Sequence, residues 1–248
     1  FTSYASSEIM AVLNDSKDLT KIHDGAHKGY AYIVGKGLEE PLCTHGDHYE
    51  TNVGYGIASY NKGELFVDQL GYVIGKENLD KTLLRYFNEW AFKHPDVYDF
   101  IRVAEKVSDL ELDWYVEYFV NTTKTIDYAI TGFNESNNKT AVELKRIGQF
   151  IMPIDVVVTA VDGARSLHTI PLGIMRGAKQ ESFDGKYVVE KDWFWTNPEY
   201  TFTVDMPMSN IRSIEIDPSL RMADLDPLNN VVLFKDGKPQ EQTEPNKE

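Results

Sequence analysis

The sequence predicts an α+β protein in which a helical part is followed by an antiparallel β-sandwich. Apolar residues recur with a helical period up to about residue 124 and with a period of two after it. Turn-forming residues separate the short alternating segments, which is typical of an antiparallel sandwich. The 248 residues are enough for two domains of ordinary size. We therefore assign 1–124 to a helical domain, 125–235 to an immunoglobulin-like sandwich and 236–248 to a polar tail.

The predicted helices each combine an apolar stripe with a residue that can begin or end it. They are Phe1–Leu13, ending at Asn14; Leu65–Val73, closed by Gly75; Leu79–Trp90, capped by Asn78; Val97–Val107, opened by Asp96; and Leu112–Phe119, begun at Asp109. Residues 15–54 sustain no period and are rich in Gly, His and Asp. We expect a long irregular loop there, of the kind that usually lies near function or near a partner.

The second part is predicted to hold about seven short strands. The first two form a hairpin, because Tyr128 and Ile130 alternate with polar residues before a polar turn at 134–139, and Val142 and Leu144 do so after it. The remaining strands are Ile154–Ala160, Leu167–Ile170, Val188–Val189, Tyr200–Val204 and Ile211–Ile216. The tail has no periodicity and too little apolar surface to order itself.

Composition excludes several classes of function. The net charge is -14, with 25 Lys and Arg against 39 Asp and Glu, so a nucleic-acid partner is not expected. No stretch approaches the roughly 20 apolar residues of a membrane-spanning helix, so no transmembrane segment is expected. Cys43 is alone, which rules out a disulfide within the chain.

The most informative stretch is Tyr55-Gly-Ile-Ala-Ser-Tyr60-Asn-Lys-Gly63, and the chain opens on Phe1-Thr-Ser-Tyr4. The pattern Y-x-x-x-x-Y-x-K-G before an apolar helix resembles the active-site tyrosine segment of the M1 family of zinc aminopeptidases. The opening resembles the residues directly after that family's third zinc ligand, a glutamate in (N/D)-E-G-F-x-x-Y. The resemblance continues in order through Gly71–Gly75, Leu83–Tyr86, Trp90–Pro95, Asp99-Phe100, Leu112–Trp114 and Thr125–Tyr128. Where many members carry a glutamate after the metal ligand, this chain has Ser6 and Ser7, with Glu8 displaced.

This resemblance implies that the chain is the C-terminal part of a gluzincin. Residues 1–124 would be the helical end of a thermolysin-like catalytic domain, and the sandwich would match a small β domain of some members. Tyr60 would be catalytic, because a protonated phenol can donate a hydrogen bond to the oxyanion of the tetrahedral intermediate. Tyr55 would bind substrate by lining the pocket. From the residues alone, two tyrosines before a helix are equally explained as packing residues.

The resemblance also implies a zinc ion in the intact parent and peptides as its substrates. The zinc ligands would lie upstream, so no metal site is expected in this chain, which alone would be inactive. Apolar side chains at the truncated face would be exposed and could drive self-association. The alternative function is a non-catalytic M1-like scaffold, or a sandwich module that binds glycans or proteins.

Other candidate sites carry weaker signals. Neither His45 and His48 nor His23 and His27 lie in an H-E-x-x-H arrangement, so we expect solvated loop histidines. Serine and cysteine nucleophiles lack a recognisable partner spacing. The Trp193-Phe-Trp195 segment could stack on sugars, although alternating aromatics on a strand are more often core.

Overall fold

The computed structural model describes residues 1–240 and shows an α+β protein with two compact units. The helical unit consists of Phe1–Thr125, Ile174–Glu181 and Ser219–Ala223. The sheet unit consists of Ile126–Gly173, Ser182–Pro218 and the residues from Asp224. Two short segments that the sequence assigns to the sandwich therefore belong to the helical unit. No helix among residues 1–240 is long and apolar enough to cross a bilayer.

The helical unit contains the five predicted helices and two that the sequence analysis missed. Its α-helices are α1 (Thr2–Leu13), α2 (Asp24–Gly35), α3 (Asn52–Ile57), α4 (Gly63–Ile74), α5 (Lys76–Trp90), α6 (Val97–Ser108) and α7 (Asp113–Phe119). One π-helical turn, Ala58–Lys62, joins α3 directly to α4. The core lies around α4, where every residue from Glu64 to Ile74 is buried.

The prediction of an irregular loop over residues 15–54 is wrong, because α2 lies within it. Ala26, Tyr30 and Ile33 recur at helical spacing and are all buried. Glycines interrupt the stripe and hide it. Gly29 packs closely, since a Cβ there would lie 2.7 Å from the Asn61 side chain, which would have to shift.

Two of the predicted helix starts are also wrong. Helix α5 begins at Lys76, directly after Gly75. Asn78 lies inside its first turn, and the side-chain amide of Asn78 donates to the Ile74 carbonyl at 2.9 Å. Asp109 ends α6 in a left-handed conformation with φ of 58°. The prediction for Asp96 is confirmed, because it forms a capping box with Asp99 at the start of α6.

The sheet unit has two sheets. Its strands are β1 (Tyr128–Ser136), β2 (Lys139–Arg146), β3 (Ile154–Ala160), β4 (Arg165–Ile170), β5 (Lys186–Val189), β6 (Glu199–Val204), β7 (Ile211–Ile216), β8 (Val231–Lys235) and β9 (Lys238–Pro239). One sheet has the order β1-β2-β6 and the other the order β5-β4-β3-β7-β8-β9. The predicted hairpin is confirmed, and its turn is the pair Asn137 and Asn138, both with positive φ.

The structure differs from a purely antiparallel sandwich at one pair of strands. Strands β4 and β5 pair in parallel, with Ser166 opposite Lys186 and Thr169 opposite Val189. The connection between them contains residues of the helical unit. A connection of that length allows the chain to return and pair in the same direction, which a hairpin cannot do.

Strand β9 lies within the predicted polar tail and pairs with β8. Lys238 pairs with Lys235, and the Gln240 amide donates to the Leu233 carbonyl at 2.8 Å. Two-residue turns carry little apolar signal, so the pattern did not indicate this hairpin. The rest of the predicted tail, residues 241–248, lies outside the described residues.

Candidate functional site

Tyr60 lies on the π-helical turn between α3 and α4. Thr51 caps α3 by accepting a hydrogen bond from the Gly54 amide at 2.9 Å, and the helical path then runs without a break to Ile74. A π turn holds one more residue than an α turn, and such turns are frequent at functional sites. The Tyr60 side chain is 66% exposed. Its phenol is therefore available to an incoming molecule.

A cleft of about 490 Å³ opens beside Tyr60 between α1 and this turn. Its walls are mostly small hydroxyl side chains, with one acidic side chain, Glu64. The lining residues are Phe1, Thr2, Ser3, Ser6, Ser7, Ser59, Tyr60 and Glu64. The surface is polar, suits hydrogen bonding to a peptide backbone and brings the start of the chain next to Tyr60.

The π turn is fixed from its buried side by Lys62. Its ammonium group donates to Glu39 at 2.6 Å and to the Thr122 carbonyl at 3.4 Å. The Lys62 and Glu39 side chains are only 3% and 6% exposed. Burial raises the pKa of Glu39, and the Lys62 charge opposes that rise. The π turn is also held by Asn61, whose side-chain amide donates to the Gly25 carbonyl at 3.2 Å.

Tyr55 lies on α3 and is 46% exposed. Its ring packs edge-on against Tyr49, with centroids 5.5 Å apart. It is not among the described residues that line the Tyr60 cleft. The structure therefore places both tyrosines at the surface of one continuous helical segment, with Tyr60 at this cleft and Tyr55 outside its lining.

An ionisable cluster that the sequence analysis missed lies directly behind the cleft. Glu64 accepts hydrogen bonds from the Ser7 hydroxyl at 2.7 Å and from His23 Nδ1 at 2.8 Å. His23 Nε2 is 3.3 Å from a Glu8 oxygen and 3.7 Å from an Asp68 oxygen. The Tyr4 ring stacks on the imidazole at 5.0 Å. These contacts connect α1, α4 and the start of α2.

The expectation that His23 and His27 are solvated is wrong. His23 is only 7% exposed. Burial and, to a smaller extent, the neighbouring His23 lower the pKa of His27 to about 4. Burial also raises the pKa of Asp68 to about 6, while His23 and Arg221 oppose the rise. A signal was present in the sequence, because the acidic residues Glu64 and Asp68 lie one turn apart in a mostly apolar helix.

Across residues 1–240, no group of three or more His, Cys, Asp or Glu side chains is arranged to hold a metal ion. His45 and His48 lie on an exposed 3₁₀ turn, with their rings 5.4 Å apart.

In the aromatic segment, Trp193 is 2% exposed and belongs to the core, whereas Phe194 and Trp195 are 64% and 47% exposed.

No known family model matches the chain. Leucine aminopeptidase 2 of Neurospora crassa is 33% identical over 96 residues, which are 33% of this chain and 14% of that protein. A leukotriene A-4 hydrolase homolog of Botryotinia fuckeliana is 26% identical over 107 residues, 38% of this chain and 17% of that protein. Leucine aminopeptidase 2 of Chaetomium globosum is 26% identical over 140 residues, 46% of this chain and 23% of that protein. The matches therefore span less than a quarter of these relatives.

The fold is similar to that of a solved aminopeptidase. Legionella pneumophila aminopeptidase A, in complex with aspartic acid, superposes with a TM-score of 0.51 at 13% sequence identity. The superposition covers 90% of this chain and 23% of that protein. At this identity the likeness concerns the fold alone. Together with the sequence matches, it relates this chain to aminopeptidases at low identity and over part of their length.

Proposed function

We propose that this chain is the C-terminal part of a zinc-dependent aminopeptidase of the M1 type, a gluzincin that removes N-terminal residues from peptides in the intact protein. The observation that carries the proposal is the exposed phenol of Tyr60. It lies beside a polar cleft, on a π turn that the side chains of Lys62 and Asn61 hold in place. The sequence relatives named leucine aminopeptidase support it. The helical unit then belongs to a thermolysin-like catalytic domain, and the sheet unit to the β domain that follows it.

The role proposed for Tyr60 is oxyanion stabilisation. Its hydroxyl donates a hydrogen bond to the oxygen that becomes negative when the peptide carbonyl is attacked. The Lys62–Glu39 pair and Asn61 hold the turn, so the phenol needs little reorganisation when charge develops. Zinc, which would supply the activated water, is proposed to be held by residues outside this sequence.

Substitution of Tyr60 in the intact protein tests this proposal. Tyr60→Phe should lower kcat by about 10²- to 10³-fold, because one oxyanion donor is lost. The zinc content and the melting temperature should stay unchanged, since Tyr60 lies at the surface and is 66% exposed. Tyr55→Phe is the matched control and should lower kcat much less. Full kcat in Tyr60→Phe would contradict the assigned role.

The 248-residue chain by itself provides a second arm of the test. We propose that it turns over no aminoacyl substrate and binds no stoichiometric zinc, and that the exposed apolar face of α1 promotes self-association. Ile9, Met10, Val12 and Leu13 are all more than half exposed. Metal analysis, an aminopeptidase assay and sedimentation at two concentrations check these points together. Tightly bound zinc with turnover would move the metal site into this chain, and an intact protein without zinc would favour the scaffold alternative.

A further inference from the structure

Three side chains of the sheet unit are arranged as a nucleophile, a base and an orienting acid. Ser166 and His168 lie two residues apart on β4, and Glu190 directly follows β5. Because β4 and β5 pair in parallel, with Thr169 opposite Val189, Glu190 lies near the imidazole. The Ser166 hydroxyl oxygen is 3.0 Å from His168 Nε2, and His168 Nδ1 is 2.7 Å from a Glu190 oxygen.

These contacts assign a proton to each position. A Glu190 carboxylate only accepts hydrogen bonds, so His168 Nδ1 carries a hydrogen and donates it. In the neutral imidazole, Nε2 then holds a lone pair and accepts the Ser166 hydroxyl. This is the order of hydrogen bonds in serine–histidine–acid triads, which are recognised by geometry rather than by sequence position.

The surroundings hold this arrangement in place. His168 is 5% exposed, and the Phe202 ring packs against its imidazole at 5.0 Å between centroids. The Glu190 side chain is 19% exposed, and Ser166 is 9% exposed. Hydrogen bonds are stronger in such low-dielectric surroundings than in water.

A second serine of the same unit provides a natural comparison. Ser213 on β7 is 6% exposed, and its hydroxyl donates to Glu215 at 2.8 Å. Like Ser166, it bonds to the residue two positions further along its strand. The group that Ser213 contacts is a carboxylate, with no imidazole between them. Ser213 therefore matches Ser166 in burial and strand position but not in its base.

We propose that Ser166 is a nucleophilic serine, activated by His168 and Glu190, that accepts an acyl or phosphonyl group from small activated esters. The Ser166 oxygen attacks the carbonyl carbon, and its proton passes to His168 Nε2. The bond to the leaving alcohol breaks, and the alcohol takes that proton from Nε2. The products are an ester of Ser166 and a free alcohol, with no change of oxidation state.

Active-site labelling of the wild-type chain tests this proposal. The folded 248-residue chain is incubated with a fluorophosphonate, which phosphonylates the serine and releases fluoride, and the modified peptide is identified by mass spectrometry. We expect stoichiometric modification at Ser166 and none at Ser213. Thermal melts of the labelled protein confirm that the fold is retained. Absence of modification at Ser166, or equal modification of both serines, overturns the proposal.

Two variants separate activation from simple exposure. His168→Gln removes the base and should slow the labelling of Ser166 by about 10²-fold or more. Ser213→Ala is the matched control and should leave the labelling rate unchanged. Labelling that is equally fast in His168→Gln, or that occurs only above the melting temperature, contradicts the assigned base. Because this site lies within the sheet unit, the result is independent of the role proposed for Tyr60.

Discussion

His27 is a side chain whose ionisation the fold changes strongly. Burial lowers its pKa from 6.5 to about 4, and its Nε2 has no hydrogen-bond partner among residues 1–240. Between pH 6.5 and pH 4, the unfolded chain therefore binds a proton at His27 that the folded chain does not. The free energy of unfolding must fall as the pH is lowered through this window. Asp68 acts in the opposite direction, because its pKa is raised from 3.8 to about 6 and folding then favours its protonated form.

Replacing His27 should reveal how much of the pH dependence of the free energy of unfolding comes from this side chain. Between pH 7 and pH 4.5, wild type should lose about 2–3 kcal/mol of stability relative to His27→Gln, at about 1.4 kcal/mol for each pH unit in the window. Urea denaturation at several pH values measures the difference. The exposed His94 is the control, and His94→Gln should follow wild type. Parallel pH profiles of wild type and His27→Gln would show that the shift is absent.

At the scale of elements, strong periodic segments were predictable and interrupted ones were not. The stripe of α6 and its Asp96 cap lie in neighbouring residues, so local pattern suffices. In α2 the stripe is broken by Gly29, which is explained only by the Asn61 side chain from a distant segment. The π turn is likewise absent from any local pattern, because Lys62 and Glu39 stabilise it through a contact across 23 positions.

The candidate site also has one part that the sequence predicted and one part that it did not. Tyr60 was found by motif, and its exposure on the turn is a property that a motif does not specify. The cluster of His23, Glu64 and Asp68 was missed, since its members are separated by up to 45 positions and become neighbours only when α2 packs on α4. Sequence therefore indicated the residue proposed to do chemistry, and the structure supplied the groups that hold and polarise its surroundings.

The π turn should depend on its buried ion pair. Lys62→Met leaves the Glu39 carboxylate buried without its partner, which should cost about 3–5 kcal/mol. The double variant Lys62→Met/Glu39→Leu removes both charges and should recover most of that loss, because a buried pair replaced by apolar residues is often neutral. Chemical denaturation of wild type, Lys62→Met, Glu39→Leu and the double variant gives the coupling energy as a double-mutant cycle. Additive losses in the double variant would mean that the pair does not support the turn.

For the molecule as a whole, the helical unit is not one continuous segment. It includes residues 174–181 and 219–223, which follow the first strands of the sheet unit in sequence. From these segments the Lys179 ammonium donates to the Tyr72 carbonyl at 2.7 Å and lies 4.2 Å from the Tyr72 ring centroid. The Ala223 amide donates to the Gln69 side chain at 2.8 Å. The buried helix α4 is thus stabilised by residues that lie more than 100 positions later.

A chain cut at residue 125 should consequently be less stable than the helical unit of the full chain. It lacks both of these buried hydrogen bonds, each worth about 1–3 kcal/mol when its partner is left unsatisfied. Urea denaturation followed by helical circular dichroism should show a lower midpoint for residues 1–125. In the full chain, Lys179→Met should reproduce part of the loss, because the buried hydrogen bond from Lys179 to the Tyr72 carbonyl is lost. Lys76→Met is the matched control and should change stability by less than about 1 kcal/mol, since the ion pair of Lys76 with Asp80 is exposed. Equal midpoints for the truncated and full chains would mean that the helices need nothing beyond Thr125.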